Sequence, residues 1–244
     1  MEETTTPKPP KKPGCAILGW AIFSFFVLFL AVFGYKVLHY AMQIRSGKII
    51  ELPQFSGDFS ATAAQASSAN IVSEEILNVG NHAELGNKDA YLTIVEFADF
   101  ECPYSKEASF TVRRMMAKYG DRVRFIYREL PIPALHPNSV GTSLAAECAS
   151  EQGKFWQFHD KLYTSAAPFT FAQLQTMGRE VGLESMQFDK CMIENRYETA
   201  IKSDMQTAAA LGLRGTPTFF FNGQKVEGAI PEEVFENIIE RLLK

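Results

Sequence analysis

Cysteine is scarce in this sequence, and the second thiol that a dithiol redox site needs is missing. The 244 residues include four cysteines, and the position three residues after Cys102 holds Ser105. In a dithiol site, the second cysteine resolves the mixed disulfide that the first one forms. An oxidase cycle confined to this site is therefore excluded.

Metal-ligand patterns and an excess of positive charge are also missing. His136 and His159 have no metal-ligand spacing to each other or to the cysteines, so we interpret both as structural and predict neither metal nor cofactor. The formal net charge is −4 at pH 7, and basic and aromatic residues do not interleave. Nothing therefore predicts nucleic-acid binding.

One long uncharged stretch is present near the N-terminus. Residues 14–35 are 22 consecutive residues without a charge, enough to cross the hydrocarbon core of a membrane. The stretch is longer than the apolar run of a cleavable signal peptide, and a buried core helix is disfavoured because every face is apolar. We predict an uncleaved transmembrane helix at residues 14–38.

The segments around this stretch differ in composition. Residues 1–13 are polar and rich in proline, which predicts a disordered cytoplasmic tail. Residues 39–79 are interpreted as a linker, and residues 80–244 as one domain. Basic residues flank both ends of the predicted span almost equally, so the expected orientation depends on the chemistry of the domain.

The domain sequence predicts the order β-α-β, a helical insertion, and β-β-α. Residues 91–100 are apolar almost throughout, as is typical of a central strand covered on both faces. A helix is predicted from Pro103 to a stop at Gly120, and a second strand at 122–130 would then be parallel to the first. Asn222-Gly223 predicts a tight hairpin between the last two strands.

Cys102 lies where the first predicted strand ends and its helix begins. A helix N-terminus stabilises a thiolate, and Pro103 can occupy the first helical position without losing a needed donor. The Ser105 hydroxyl can hydrogen-bond to that thiolate. The alternative is a buried, inert cysteine, but open α/β sheets place their sites at the carboxyl ends of strands. We predict that Cys102 and Ser105 are catalytic and that Pro103 and Tyr104 contact the substrate.

Together these motifs resemble the DsbA-like thioredoxin family over about residues 80–244. The segments that carry the resemblance are GNKDAYLTIVEFADFECPYS, LPIPALHPNSVGTSLAAECASEQGKFWQFHDKLY, and GTPTFFFNG followed by Gly228. The resemblance implies an α/β thioredoxin fold with a helical insertion after the second core strand. It also implies a cis Thr216-Pro217 bond against Cys102, where the backbone binds substrate peptide. The alternative is an ordinary loop proline.

The resemblance raises two further expectations, each with an alternative. Glu96 matches the acidic residues that lie beneath the thiol in this family and assist proton transfer; alternatively, it faces solvent at a sheet edge. Cys148 and Cys191 fall on apolar faces of predicted helices, at positions similar to those that form a disulfide in some family members. They are alternatively two reduced core thiols.

The expected function is thiol–disulfide exchange on cysteine-containing extracytoplasmic proteins through Cys102 alone. Such a site resembles an isomerase or a reductase and needs an external thiol or a redox partner protein. The expected location is the cell membrane, crossed once with the N-terminus in the cytoplasm. One alternative is a redox-inactive, peptide-binding chaperone. A glutaredoxin-like monothiol protein that uses glutathione or an iron–sulfur cluster is disfavoured by the long helical insertion.

Overall fold

The computed structural model describes residues 24, 26, 28–36, 71–77 and 80–244. The chain divides into two compact units, residues 1–60 and 61–244. In the first unit the described residues are helical. None of the helices formed by the described residues has the length and apolar character needed to cross a membrane. Much of the predicted span at 14–38, the tail at 1–13 and most of the predicted linker lie outside the described residues.

The second unit is built on a five-stranded sheet in the spatial order β1-β3-β2-β4-β5. The strands are β1 Ala83–Gly86, β2 Leu92–Ala98, β3 Val123–Glu129, β4 Thr218–Phe221 and β5 Gln224–Glu227. Strands β2 and β3 are parallel, and the other neighbours are antiparallel. Strand β2 is buried along its whole length. Its sequence, apolar except for Thr93 and Glu96, suits a strand that is covered on both faces.

Helices connect and cover these strands. They are α1 Glu74–Leu77, α2 Pro103–Tyr119, α3 Ser139–Ser150, α4 Phe155–Thr164, α5 Phe171–Glu180, α6 Ser185–Ile193, α7 Glu198–Ala210 and α8 Glu232–Leu242. Helix α2 connects the parallel strands β2 and β3, α3 to α7 form the insertion before β4, and α8 follows β5. The predicted α/β order with its helical insertion is confirmed.

Residues that precede the predicted domain also pack on the sheet. Leu77 is buried against the sheet, and the Val72 N–H donates to the carbonyl oxygen of Gly223 at 3.0 Å. Strand β1, which the sequence analysis does not predict, pairs with β3 along four residues. The predicted linker at 39–79 thus includes residues that contact the sheet domain, and the four-residue helix α1 has no periodicity that distinguishes it from a tether.

The core has one layer on each face of the sheet. Alternate residues of β2, such as Ile94 and Ala98, pack in the layer that includes α2, α8 and the insertion. Val95 and Phe97 point into the other layer, which includes Leu77. Since successive side chains of a strand point to opposite faces, Glu96 faces the layer that contains α2 and the insertion.

The predicted hairpin between β4 and β5 is present. Asn222 and Gly223 have φ values of 43° and 83°, as a two-residue turn with both centres left-handed requires. A Cβ atom at Gly223 would lie 2.2 Å from the carbonyl oxygen of Val72. Glycine is therefore needed at this position both for its backbone conformation and for the close approach of the N-terminal segment.

Candidate active site

The end of β2 and the start of α2 position Cys102. The residue is the N-cap of α2, and Pro103 is the first helical residue. The Cys102 N–H donates to the carbonyl oxygen of Asp99 at 3.0 Å, and the Lys106 N–H donates to the carbonyl oxygen of Cys102 at 3.0 Å. The residue is 5 % exposed, and it is the free cysteine of the described part of the chain. A thiolate formed here would lie at the positive end of the helix.

The second half of the site is the peptide bond before β4. Thr216-Pro217 is cis, and the Cys102 thiol donates to the carbonyl oxygen of Thr216 with an Sγ···O distance of 3.2 Å. The structure therefore brings together Cys102 and Thr216-Pro217, which lie far apart in the sequence. The Thr216 hydroxyl is buried and has no hydrogen-bond partner within the described residues.

Ser105 is close to the site but makes a different contact from the expected one. Its side chain is fully buried, and its hydroxyl oxygen accepts the Asp99 N–H at 3.4 Å. Within the described part of the chain, no hydrogen bond joins the Ser105 hydroxyl to Cys102. The Cys102 sulfur instead faces the Thr216 carbonyl oxygen, while the serine stabilises the turn that precedes the helix.

The two predicted substrate contacts lie on the outer side of the first turn of α2. Pro103 is exposed, and Tyr104 is 61 % exposed. Pro103 directly follows Cys102 in the chain, and Tyr104 is the next residue. An aromatic ring that is largely exposed beside a reactive thiol can pack against a bound peptide.

Glu96 is buried in the middle of the sheet. It lies in register with Tyr127 of β3 and Phe219 of β4, and its Oε1 atom has no hydrogen-bond partner within the described residues. Burial raises the pKa of Glu96 to about 8. The alternative interpretation, a solvent-facing residue at a sheet edge, is wrong because β2 is a central strand.

A pair of buried tyrosines, not predicted as part of the site, lies near Glu96. The hydroxyl groups of Tyr127 and Tyr163 are 3.1 Å apart, and the Tyr163 hydroxyl donates to the carbonyl oxygen of Asp99 at 3.5 Å. Burial raises the pKa of both tyrosine hydroxyls, and the negative charge of Glu96 raises these two pKa values further. The parallel register of β2 and β3 is the signal that would have placed Tyr127 beside Glu96.

Two acidic residues near Cys102, also not predicted, fasten its turn to the segment between β3 and α3. The Asp99 carboxylate accepts hydrogen bonds from Glu101 N at 2.9 Å, Ile132 N at 2.9 Å and His136 Nδ1 at 2.8 Å. The Glu101 carboxylate accepts from Asn138 N at 2.7 Å and Asn138 Nδ2 at 3.1 Å. The position of these acids in ADFECPYS, beside the candidate nucleophile, is the sequence signal that could have identified them.

The remaining two described cysteines form a disulfide. Cys148 of α3 and Cys191 of α6 have an Sγ–Sγ distance of 2.02 Å. Of the two alternatives that the sequence leaves open, the structure has the bonded one. The bond lies within the helical insertion and leaves neither sulfur available for exchange at the Cys102 site.

His159 lies beneath the site and is buried among aromatic rings. Its Nδ1 is 2.9 Å from an oxygen of Asp160, and its ring packs edge-to-face against Tyr163. Burial lowers the pKa of His159 and thus favours its neutral form. Among the residues that the structure describes, no group of three potential ligands is placed to hold a metal ion.

A thioredoxin-like sheet, with a cysteine at a helix N-terminus against a cis-proline peptide bond, defines the class of thioredoxin-fold oxidoreductases. The chain belongs to the thioredoxin family, whose model matches residues 78–241. This family match, together with the solved structures described next, confirms the predicted resemblance to DsbA-like members and the predicted oxidoreductase class.

Solved structures support the same assignment. A thioredoxin-like oxidoreductase from Silicibacter pomeroyi DSS-3 has a TM-score of 0.64 and 31% identity, and the match covers 70% of this chain and 97% of that one. The thiol-disulfide exchange protein alpha-DsbA2 from Wolbachia pipientis has a TM-score of 0.63 and 19% identity, over 69% and 90% of the two chains. BdbD from Bacillus subtilis has a TM-score of 0.59 and 22% identity, over 66% and 92%. The last two show the fold alone.

Curated relatives include segments of membrane antiporters. The chain is 36% identical over 143 residues to Na(+)/H(+) antiporter NhaA 3 of Salinispora tropica, which is 59% of this chain and 22% of that protein. It is 30% identical over 145 residues to NhaA 1 of Mycolicibacterium gilvum, which is 59% of this chain and 24% of that protein. The match thus spans less than a quarter of each antiporter.

Proposed function

We propose that this chain carries out thiol–disulfide exchange on extracytoplasmic proteins, with Cys102 as the one exchanging thiol. The observation that carries the proposal is the arrangement at Cys102: a free thiol at the start of α2, against the cis bond of Thr216-Pro217. Cys148 and Cys191 are bonded to each other, and position 105 has no sulfur. Within the described residues Cys102 therefore has no second thiol to pair with, and the proposed membrane span would separate it from Cys15, so a disulfide formed at this site joins the chain to another molecule.

The exchange proceeds in two steps, each of which replaces one S–S bond with another. The Cys102 thiolate attacks one sulfur of a substrate disulfide, so that a Cys102–substrate bond forms and the second substrate sulfur leaves as a thiolate and takes up a proton. A second thiol then attacks the mixed disulfide and releases Cys102. If that thiol is a different cysteine of the substrate, the substrate is isomerised. If it is a small external thiol, a mixed disulfide between the substrate and that thiol forms, and a second molecule of the external thiol completes reduction of the substrate and leaves as the oxidised dimer.

The neighbouring residues support substrate binding and proton transfer. The backbone before Pro217 is placed to pair with an extended peptide, in the manner of a strand added to a sheet edge. Pro103 and Tyr104 border the same cysteine from the helix side. A carboxyl group with a pKa of about 8 can both give and take a proton near neutral pH, and Glu96 is suited to that role.

The proposed location is the outer side of the cell membrane. Residues 14–38 would form the anchor, with residues 1–13 in the cytoplasm. The Cys148–Cys191 bond supports this location because disulfides persist in oxidising compartments outside the cytoplasm. The proposed partners are cysteine-containing extracytoplasmic proteins, together with an external thiol or a redox partner protein.

The test is to capture the mixed disulfide. The full-length protein is reduced with a mild reagent and freed of that reagent. It is then mixed with a peptide whose single cysteine is disulfide-bonded to thionitrobenzoate, so that the leaving thiol departs, and non-reduced digests are analysed by mass spectrometry. We expect adducts on the peptide that contains Cys102, which accumulate until reduced glutathione is added. Cys102→Ala is the control and should form none there. Peptide binding without any adduct at Cys102 would favour the redox-inactive chaperone.

A further inference from the structure

Asp99 determines the conformation of the turn that positions Cys102. Its carbonyl oxygen accepts the Cys102 N–H, one carboxylate oxygen accepts the Glu101 N–H, and its own N–H donates to the Ser105 hydroxyl. These bonds join Asp99 to the segment that connects β2 to α2 and to the first turn of α2. The position of the Cys102 sulfur therefore depends on how Asp99 is held.

The second carboxylate oxygen of Asp99 is held from outside this turn. It accepts Ile132 N at 2.9 Å and His136 Nδ1 at 2.8 Å. The Asp99 side chain is fully buried, whereas 18% of the His136 side chain is exposed. A buried carboxylate needs hydrogen-bond donors to compensate its charge. His136 provides the one side-chain donor among these contacts, since the others are backbone N–H groups.

We propose that His136 is a positioning residue for Cys102 and acts through Asp99. The Nδ1–H group of His136 compensates the Asp99 charge, so that this charge opposes formation of the Cys102 thiolate less strongly. The same bond fixes the carboxylate that holds the turn. The inference rests on the proposed function, in which Cys102 is the exchanging thiol.

Other titratable groups lie near Asp99. The Tyr163 hydroxyl donates to its carbonyl oxygen, and the Glu101 carboxylate is turned toward Asn138. Burial is the main cause of the raised pKa of Glu129, and the charge of Asp99 adds to it. These groups are unchanged in all the variants below, so a comparison between variants isolates the effect of His136.

The measurement is the rate at which iodoacetamide alkylates Cys102 in the full-length protein as a function of pH. Mass spectrometry of the peptide that contains Cys102 separates it from Cys15, which lies outside the described residues. His136→Leu removes the donor at a similar side-chain volume, while His136→Asn is smaller but retains an amide donor near the Nδ1 position. We expect the midpoint of the pH profile to rise by about 0.5 to 1 unit in His136→Leu and to remain near the wild-type value in His136→Asn.

A double-mutant cycle tests whether His136 acts through Asp99. In an Asp99→Asn background the carboxylate charge is absent, so His136→Leu should no longer shift the midpoint. Glu84→Gln disrupts the ion pair with Arg124 near the opposite end of β3 and should leave the midpoint unchanged. If His136→Leu does not fold, the same measurement is made on His136→Ala, which also removes the donor.

The outcomes separate this inference from the proposed function. The inference is overturned if the His136→Leu shift is absent, or if it is equally large in the Asp99→Asn background. Equal shifts in His136→Asn and His136→Leu would also overturn it, because the donor would then have no role. A wild-type Cys102 that stays unalkylated from about pH 5 to 9 would contradict the proposed function as well.

Discussion

The Cys102 sulfur lies 3.2 Å from the carbonyl oxygen of Thr216, across a sequence separation of 114 residues. One partner is at the end of β2 and the other directly precedes Pro217 and β4. Strands β2 and β4 are antiparallel neighbours, so the end of β2 lies beside the beginning of β4. The site is thus assembled by strand pairing, and its geometry depends on the sheet rather than on a flexible loop.

Glu96→Gln should change how stability depends on pH. Burial raises the pKa of Glu96 from its ordinary value of 4.5 to about 8 in the folded protein. Between these values the folded protein retains a proton that the unfolded chain has released, so the contribution of Glu96 to stability falls as pH rises. The free energy of unfolding of wild type relative to Glu96→Gln should decrease by up to about 1.4 kcal/mol per pH unit between pH 5 and 8.

Urea denaturation of the two proteins at several pH values measures this difference. Glu84→Gln is a matched control: a hydrogen bond from Arg124 lowers the pKa of Glu84, so above about pH 6 this residue is ionised in both the folded and the unfolded state. Its difference from wild type should therefore not vary above that pH. Parallel stability curves for wild type and Glu96→Gln would show that Glu96 does not titrate in this range.

Removal of the Cys148–Cys191 disulfide should destabilise the domain. The two cysteines are 43 residues apart in sequence, and in the loop-entropy model a cross-link of that length contributes roughly 4 kcal/mol. For a domain of this size, that corresponds to a decrease in Tm of roughly 8 to 16 °C. Calorimetry of Cys148→Ser/Cys191→Ser beside wild type measures the decrease. Free alkylation of both cysteines in the native protein would contradict the bond itself.

Protease protection should reveal the side of the membrane on which the domain lies. If residues 14–38 anchor the chain with its N-terminus inside, protease added to intact cells, after opening of any outer wall, should degrade residues 80–244. An antibody against the C-terminus would follow the loss of that domain, while a cytoplasmic protein controls for lysis. A domain that is degraded only after lysis would place the site in the cytoplasm.

The sequence predicts the central elements of the fold because their signals are local. The apolar run of β2, the stop at Gly120 and the Asn222-Gly223 turn each specify an element without reference to the rest of the chain. Strand β1 and helix α1 are four residues each. Strand β1 forms because it pairs with β3, and α1 forms because its Leu77 packs into the core. Such elements depend on tertiary contacts that no local pattern contains.

The candidate site likewise contains residues that local motifs predict and contacts that only the tertiary structure creates. Cys102 and Pro217 are found from motifs, whereas the Asp99 contacts with Ile132 and His136 require knowledge of how the segment after β3 folds back. The contact that Ser105 makes also depends on tertiary structure. Residue type and spacing allow its hydroxyl to reach Cys102, but the orientation of the thiol toward Thr216 leaves the hydroxyl to the Asp99 N–H.

Ser105→Cys should convert the monothiol site into a dithiol site. Position 105 lies three residues after Cys102, which places the two side chains as neighbours across the first helical turn. The substitution removes a long hydrogen bond of 3.4 Å and replaces an oxygen with a sulfur in a fully buried position. The new thiol can attack the Cys102–substrate bond within the same molecule. The lifetime of the mixed disulfide should therefore fall by about 100-fold or more, and dithiol oxidase activity should appear.

Ser109→Cys provides the matched control for this prediction. Ser109 is also a buried serine of α2, but it lies seven residues after Cys102, or about 10 Å along the helix axis at 1.5 Å per residue. A thiol at that distance cannot reach the mixed disulfide, so its lifetime should equal that of wild type. The decay of a labelled Cys102–peptide adduct, followed by non-reducing electrophoresis, compares the three proteins. Equal lifetimes in Ser105→Cys and Ser109→Cys would show that the absence of a cysteine at position 105 does not limit release, and that release depends on access of an external thiol to the buried sulfur.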